Sequence, residues 1–178
     1  MLSQLSSNDL HQVRKKRFLK ELHSFVEGIM PVGRLDEKTE GLLLLTTDGK
    51  LSDTINRSGV EKEYYAQVDG QITERELEQL RSGVFIGIEG TKYKTKPCKV
   101  TMLNATPDLP NRQKKIRDDR HGPTSWISIT ITEGKFRQVR KMTSAVGYPT
   151  LRLVRVRIGS LHLEGMKPGD VIQLTKVL

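Results

Sequence analysis

The order of the patterned segments constrains the fold of this chain most, because short strands outnumber helices and the two do not alternate regularly. Strand patterns cover residues 41–46, 63–68, 126–132, 151–158 and 171–178, with further short strands between 84 and 103. Apolar side chains at helical spacing cover residues 11–26, 51–57, 73–81 and 134–146. Because strict βαβ repetition is missing, this order predicts an α+β fold with a mixed, largely antiparallel central sheet and flanking helices.

Three of these segments carry distinct local signals. Thr73 followed by Glu76 is a capping box, and it predicts the start of a helix that ends near Gly83. Residues 126–132 alternate between polar or aromatic side chains and isoleucines, which indicates a strand with two unlike faces. Residues 41–46 are almost wholly aliphatic, as in a strand that is buried on both faces.

The length of the chain and its single cysteine limit the classes of protein to consider. The 178 residues suffice for one ordinary domain, so we expect a single domain over residues 1–178. The longest aliphatic run, Leu42 to Leu45, is too short to cross a bilayer, and the first 20 residues lack the apolar stretch of a secretion signal. The single cysteine, Cys98, excludes an internal disulfide and fits the reducing cytoplasm.

Positive charge is concentrated in one part of the sequence. The chain carries 30 Lys and Arg against 21 Asp and Glu, a formal charge of +9. Between Gly134 and Leu163 there is no acidic residue, and seven basic ones fall in that interval: Lys135, Arg137, Arg140, Lys141, Arg152, Arg155 and Arg157. Solvated faces normally mix both signs, so this interval predicts a surface for a polyanion such as a nucleic acid.

The residue types that commonly act in active sites exclude several kinds of site in this sequence. The sequence has no glycine-rich nucleotide cradle, no histidine pair at metal-ligand spacing and no serine nucleophile elbow. The densest candidate is Asp36, which lies in a glycine-bounded loop directly before the aliphatic strand. A loop fixed by such a strand can present one carboxylate rigidly at a cleft. On spacing alone, however, an ordinary turn aspartate is the favoured interpretation of Asp36.

A second candidate is the segment from Glu133 to Met142. If a helix starts at Gly134, Arg140 lies about 40° from Phe136 at the edge of the apolar face, and Arg137 and Lys141 share the outer flank. An arginine at the edge of the core needs an anionic partner. The outer pair can be solvated or can hold phosphate groups.

The loop from Pro107 to Gly122 has two readings. It carries five basic residues: Arg112, Lys114, Lys115, Arg117 and Arg120. Long loops of this kind commonly extend into solvent, but this one can also become ordered when it contacts RNA.

Three motifs in order resemble the pseudouridine synthases that modify ribosomal RNA, in the branch typified by small subunit pseudouridine synthase A. They are Gly33-Arg34-Leu35-Asp36, Lys62-Glu63-Tyr64 and Gln138-Val139-Arg140-Lys141-Met142. The likeness covers nearly the whole chain. The stretches around Trp126 and Phe136 are most similar to members of that branch that act on the large subunit.

The resemblance implies an isomerase that detaches uracil from its ribose, rotates it and rejoins it through carbon 5. Asp36 would start the reaction, Tyr64 would stack on the base, and Arg140 would pair with Asp36. The resemblance assigns contacts with the substrate or the RNA to Arg34, Leu35, Lys62, Lys135, Arg137, Lys141, Leu153 and Arg155. It implies no cofactor and no metal, and it makes ribosomal RNA the partner of a cytoplasmic protein, which we expect to be a monomer outside the membrane.

Two departures from the family accompany this interpretation. The chain shows no RNA-binding domain of the S4 type, and no Asn-Lys-Pro strand precedes Leu2, so we expect the first strand of the family to be missing. The rival hypothesis is a catalytically inactive RNA-binding module that uses the same basic surface. A nuclease ranks last, because only Glu37 and Glu40 lie near Asp36 to help hold metal ions.

Overall fold

The computed structural model describes residues 1–112, 116–117 and 119–175 of the chain. The strands within these residues are β1 (Met30–Pro31), β2 (Thr39–Gly41), β3 (Leu45–Thr46), β4 (Lys62–Asp69), β5 (Phe85–Ile88), β6 (Thr91–Lys94), β7 (Lys99–Met102), β8 (Thr124–Ile131), β9 (Thr150–Ile158) and β10 (Leu161–His162). The helices are α1 (Leu10–Lys15), α2 (Gly49–Arg57), α3 (Glu74–Ser82) and α4 (Gln138–Ala145).

The central sheet has the strand order β10-β9-β4-β8-β7, and β2 joins it beside β9. All pairings in this sheet are antiparallel except that of β2, which runs parallel to β9 with Thr39 opposite Leu153 and Gly41 opposite Arg155. The small pairs β1-β3 and β5-β6 lie outside it. The predicted α+β class with a mixed, largely antiparallel sheet is confirmed.

One face of the central sheet carries the main core. Strand β4 alternates strictly between buried and half-buried residues, so Tyr64, Ala66 and Val68 point to the buried side. Helices α3 and α4 contribute buried residues to the same cluster, among them Leu77 from α3 and Met142 from α4. Complete burial of such a side chain stabilises the fold by about 1.5–3 kcal/mol. The core thereby fixes α4 relative to the sheet.

The local signals of α3 and β8 are confirmed. The capping box forms, since the Thr73 hydroxyl and backbone amide both bond the Glu76 carboxylate at the N-terminus of α3. Gly83 ends the helix at φ +87°, and a Cβ there would overlap the carbonyl oxygen of Thr95. Strand β8 includes the alternating residues 126–131.

The two ends of the chain depart from the prediction. In place of one helix over residues 11–26, the chain forms α1 and a short 3-10 turn, Leu19–Glu21. The break lies at Lys16, which has an extended backbone, and α1 buries none of its residues. A helix this short without apolar packing cannot be extended by propensity alone. The predicted strand over 171–178 is wrong for residues 171–175, which form no strand, and residues 176–178 lie outside the described part.

The aliphatic segment over residues 41–46 is two short strands and not one. Gly41 ends β2 at φ +103°, and a Cβ there would overlap the backbone of Arg155. The chain then turns away from the central sheet, and Leu45–Thr46 pairs with β1. Leu42 packs in a second cluster with Val32 and Ile55 of α2. The pairing of β2 with β9 places the loop before β2 beside the central sheet, where the carbonyl oxygen of Lys38 accepts from Arg140 of α4.

No helix in the described residues combines the length and the apolar character that crossing a membrane requires.

Candidate active site

Asp36 lies in a loop that is held from both sides. Before it, the Ser3 hydroxyl donates to the carbonyl oxygen of Leu35 at 2.8 Å and accepts from the Leu35 amide at 3.0 Å. After it, the Thr39 amide donates to the carbonyl oxygen of Asp36 at 2.8 Å, and β2 begins. The side chain of Asp36 is 22% exposed. The loop therefore presents a fixed carboxylate that solvent and ligands can reach.

Two arginines from the start of α4 approach this carboxylate. The Asp36 Oδ2 atom lies 3.6 Å from Nη1 of Arg137 and 4.0 Å from Nε of Arg140. Arg137 is 40% exposed, whereas Arg140 is only 9% exposed. Two guanidinium groups at this distance stabilise negative charge at the position of Asp36.

Arg140 also joins three parts of the fold. Its Nη2 atom donates to the carbonyl oxygen of Lys38 in the Asp36 loop at 2.8 Å, and its Nη1 atom donates to that of Thr150 at the start of β9 at 3.2 Å. Its buried Nε atom has no hydrogen-bond partner and faces Asp36. Burial lowers the pKa of the Arg140 guanidinium, as does Arg137, while Asp36 acts in the opposite direction. Arg140 thus orients the loop as well as the carboxylate.

The helix predicted to start at Gly134 begins four residues later, at Gln138. The chain before it forms a turn in which Arg137 takes a left-handed conformation, with φ +53°. Phe136, which we expected on the apolar face, is 68% exposed. The angular positions counted from Phe136 were therefore wrong, and Arg137 points to Asp36 instead of outward. The expected proximity of Arg140 to an anionic partner is what the structure shows.

Tyr64 and Leu153 lie in the main core beside the strand that follows the Asp36 loop. Tyr64 is 9% exposed and Leu153 4% exposed. Across the sheet, Tyr64 of β4 is level with Arg155 of β9, which is in turn level with Gly41 of β2. These residues therefore form one row over three adjacent strands, and the Asp36 loop precedes the outermost strand.

Lys62 and Arg155 are buried. The ammonium group of Lys62 donates to the carbonyl oxygens of Ile55 at 3.4 Å and Val60 at 3.2 Å, so it satisfies acceptors at the end of α2. Burial lowers its pKa, and the nearby charge of Arg155 adds to this effect. Arg155 is 3% exposed and donates from Nε to the carbonyl oxygen of Leu42 at 2.8 Å. Both side chains hold the strands around the site together.

The acid-free interval does not form one continuous basic surface. Arg152 pairs with Glu40 at 2.9 Å, and Arg157 pairs with Glu63 at 2.8 Å and Glu61 at 3.0 Å. All three carboxylates lie elsewhere in the sequence. The pKa of Glu63 is low, because hydrogen bonds from Arg157 and Ser128 outweigh burial, which acts to raise it. The cations of β9 therefore serve the fold.

Exposed cations lie in the Asp36 loop and in the turn before α4. Arg34 and Lys38 are exposed in the loop, with the half-buried Leu35 between them in the sequence, and Lys135 and Arg137 are exposed in the turn. Of these four cations, Arg137 approaches the carboxylate directly, whereas the ammonium group of Lys135 lies 5.1 Å from the centroid of the Tyr93 ring.

Lys141 is tied to protein groups on the flank of α4. Its ammonium donates to the carbonyl oxygen of Gly87 at 2.6 Å and lies 5.1 Å from the centroid of the Phe136 ring. Both contacts fix Lys141 beside the turn instead of leaving it in solvent.

Comparison with known proteins decides the family. The model of the RNA pseudouridylate synthase family matches residues 1–145. The chain belongs to this family. A ribosomal large subunit pseudouridine synthase E from Vibrio parahaemolyticus is 42% identical over 147 residues, and one from Xanthomonas axonopodis is 43% identical over 142 residues.

The coverage of these relatives is uneven. The aligned part is 82% of this chain but 60% of the length of the Vibrio protein, and 79% of this chain and 73% of the Xanthomonas protein. A solved structure described as a pseudouridylate synthase superposes with a TM-score of 0.66 at 28% identity, over 86% of this chain and 60% of that one. The similarity to large-subunit members of the family is confirmed.

Sequence reasoning missed the residues that support the Asp36 loop and the turn before α4. Glu40 pairs with Arg152 and with Arg112, whose Nε atom lies 3.2 Å from Glu40 Oε1. Glu133 and Gln138 bond each other across the turn. The spacing of Glu133 and Gln138 around Gly134 is visible in the sequence, but nothing local shows that their side chains meet.

The loop after β7 is fastened to this site. Arg112 is 17% exposed, and besides Glu40 its guanidinium approaches the carbonyl oxygens of Lys38 and Leu151, both at 3.5 Å. Arg117 is 15% exposed and forms an ion pair with Asp69 of β4. These two arginines are therefore structural anchors. Lys114 and Lys115 lie outside the described residues.

The arrangement can perform carboxylate chemistry next to a bound polyanion. In the part of the chain that the structure describes, no group of three or more His, Cys, Asp or Glu side chains is placed to hold a metal ion. Asp36 is an accessible carboxylate flanked by two guanidinium groups, with further exposed cations in the same loop and in the turn before α4. Such a carboxylate can act as a nucleophile or as a base on a substrate that is itself negatively charged.

Proposed function

We propose that this chain isomerises uridine to pseudouridine in ribosomal RNA of the large subunit, and that Asp36 starts the reaction. The observation that carries the proposal is the placement of Asp36 in an anchored loop between Arg137 and Arg140. The names of the relatives at 42–43% identity supply the class of RNA. We further propose that the protein acts as a cytoplasmic monomer.

The product has the same composition as the substrate. The bond between the sugar carbon and the base nitrogen breaks, the sugar carbon bonds to carbon 5 of the rotated uracil, and the hydrogen leaves carbon 5 while the freed nitrogen takes up a proton. No electrons enter or leave, so the chemistry calls only for acid–base or nucleophilic groups. The Asp36 carboxylate begins it, either by attacking the sugar carbon or by removing a sugar proton. Arg137 and Arg140 stabilise the charge of Asp36 during this step.

A base can react only after it has left its stack. Tyr64 lies on β4 and Leu153 on β9, where Leu153 is opposite Thr39 of β2, the strand that follows the Asp36 loop. In the proposal they form the wall against which the extruded uracil rests. Arg155 and Lys62 support that wall from within, through their bonds to backbone carbonyl oxygens.

The RNA backbone is held by the exposed cations of the loop and the turn. Arg34 and Lys38 are exposed in the Asp36 loop, and Lys135 and Arg137 are exposed in the turn before α4. Phe136 lies between these last two residues, 68% exposed, and offers an aromatic face to an unpaired base. Contacts of this kind give affinity with a strong dependence on salt.

The direct test is release of tritium from large-subunit RNA that carries 5-tritiated uridine. Wild-type protein should release tritium, and Asp36→Asn should bind the same RNA with no release above background. Asp48→Asn is the matched control. Asp48 caps α2 by accepting from the amides of Lys50 and Leu51, and asparagine caps a helix equally well. RNA binding without release by the wild type would instead support the inactive RNA-binding module.

A further inference from the structure

The turn between β8 and α4 is closed by its own side chains. The Gln138 Nε2 atom donates to Glu133 Oε1 at 2.6 Å, and the Gln138 Oε1 atom accepts from the Lys135 amide at 2.9 Å. The backbone amide of Gln138 also donates to the carbonyl oxygen of Lys135 at 3.0 Å. Gln138 is only 3% exposed, so these bonds form away from solvent. We call Glu133 and Gln138 the clamp.

The clamp is itself attached to the small pair β5-β6. The Tyr93 hydroxyl donates to Glu133 Oε2, and the Lys96 amide donates to Glu133 Oε1 at 2.9 Å. Burial acts to raise the pKa of Glu133, but these hydrogen bonds and that from Gln138 outweigh it and hold the pKa below its usual range. Glu133 therefore accepts three hydrogen bonds, one from α4 and two from β6 and the residues that follow it, which leaves the turn little freedom to shift.

The residue that this turn delivers is Arg137. Its backbone is left-handed, at φ +53°, a conformation that costs a non-glycine residue about 1–2 kcal/mol. The Asp36 carboxylate cannot hold Arg137 by itself, because their separation is 3.6 Å and Arg137 is 40% exposed. The conformation must be held by its surroundings. The clamp joins residue 133, which precedes the turn, to residue 138, which directly follows Arg137.

We propose that Glu133 and Gln138 are positioning residues, which hold the guanidinium of Arg137 against Asp36 for the isomerisation. This inference rests on the proposed function. Loss of the clamp should lower turnover through Arg137 alone. A displacement of about 1 Å in a catalytic constellation costs up to about 100-fold in rate. We expect Glu133→Gln and Gln138→Met each to lower kcat about 10- to 100-fold, and to raise KM no more than Arg137→Ala does, because Arg137 also contacts the RNA in the proposed function.

A double-mutant cycle separates positioning from mere support of the fold. If Glu133 acts through Arg137, adding Glu133→Gln to Arg137→Ala should lower kcat less than twofold further. If the two losses multiply, the inference is overturned. Tyr93→Phe is the milder variant should Glu133→Gln fail to fold. It removes one donor to Glu133 and should give a smaller loss of kcat that likewise disappears in the Arg137→Ala background.

The control is Glu63→Gln. Like Glu133, Glu63 is a partly buried carboxylate, but it pairs with Arg157 and lies on the face of β4 opposite the core. The variant should lower the melting temperature and leave kcat unchanged, whereas an equal loss of kcat would overturn the inference. Hydrogen exchange of the Lys135 amide gives a readout that does not depend on activity. The exchange should accelerate in Gln138→Met and not in Glu63→Gln, and unchanged protection in Gln138→Met would also overturn the clamp. If the wild type releases no tritium while Lys135 remains protected, the proposed function has failed and the clamp geometry has not.

Discussion

Replacement of Arg140 by alanine should destabilise the protein much more than replacement of its neighbour Arg137. Arg140 is 9% exposed and donates to the carbonyl oxygens of Lys38 and Thr150. Both oxygens lose this donor in the variant, and that of Lys38 keeps the longer contact of 3.5 Å with Arg112. Hydrogen bonds from a charged group contribute about 1.5–3 kcal/mol each. The variant also escapes the cost of burying the guanidinium, the same cost that lowers its pKa.

The balance of these effects is a loss of about 2–4 kcal/mol in the free energy of unfolding. In a chain of this size about 1 kcal/mol corresponds to 2–4 °C in melting temperature, so we expect a fall of about 5–15 °C. Arg137→Ala, at an exposed ion pair, should cost less than about 1 kcal/mol.

Calorimetry and urea denaturation of both variants at neutral pH test this reasoning. Activity should fall in both, because both arginines approach Asp36, and only stability should tell them apart. Equal melting temperatures for Arg140→Ala and Arg137→Ala would show that the bonds of Arg140 to the loop and to β9 do not hold the site together.

Three further predictions follow from other contacts. Arg112→Ala should lower both melting temperature and activity, because Arg112 joins the loop after β7 to Glu40, and a loss of RNA affinity alone would refute this structural role. Phe136→Ala should raise KM without changing the melting temperature, and Phe136→Trp should preserve KM; a large fall in stability would place the ring in the core instead. The folded-state pKa of Glu63 lies below its usual 4.5, so its stabilisation is present above about pH 4.5 and is lost as the pH falls through the lower value. The difference in melting temperature between wild type and Glu63→Gln should therefore shrink from pH 6 to pH 3, and a constant difference would contradict the assignment.

Patterns that depend on neighbouring residues were readable from the sequence. The capping box of Thr73 and Glu76 gave the start of α3 correctly, because both partners lie within one helical turn. The alternation in β8 correctly predicted a strand, because it depends only on residues two positions apart. The order of the three motifs led to the family, and the order of the strand and helix segments led to the right fold class.

Features that depend on distant partners were not readable. Helical spacing predicted that α4 starts at Gly134. The spacing contains no information on the bond from Gln138 to Glu133 or on the left-handed backbone of Arg137. The run of basic residues in β9 was interpreted as a surface, because the carboxylates of Glu40 and Glu63 that neutralise it lie more than 90 residues away.

Of the candidate site, the sequence named Asp36 and Arg140 together, and the structure places them 4.0 Å apart. It assigned Lys62 to substrate contact, and the structure instead shows its ammonium group bonded to carbonyl oxygens around the end of α2. Short spacing between residues does not reveal the direction in which a lysine points. The role of Tyr64 stays a prediction.

The central claim is that Asp36 starts a uridine isomerisation, and its most direct measurement maps pseudouridine in unmodified large-subunit RNA after incubation with the protein. Wild-type protein should convert one or a few defined uridines, and Asp36→Asn should convert none while it binds the RNA with unchanged affinity. Conversion of the same uridines by Asp36→Asn at the wild-type rate would contradict the account.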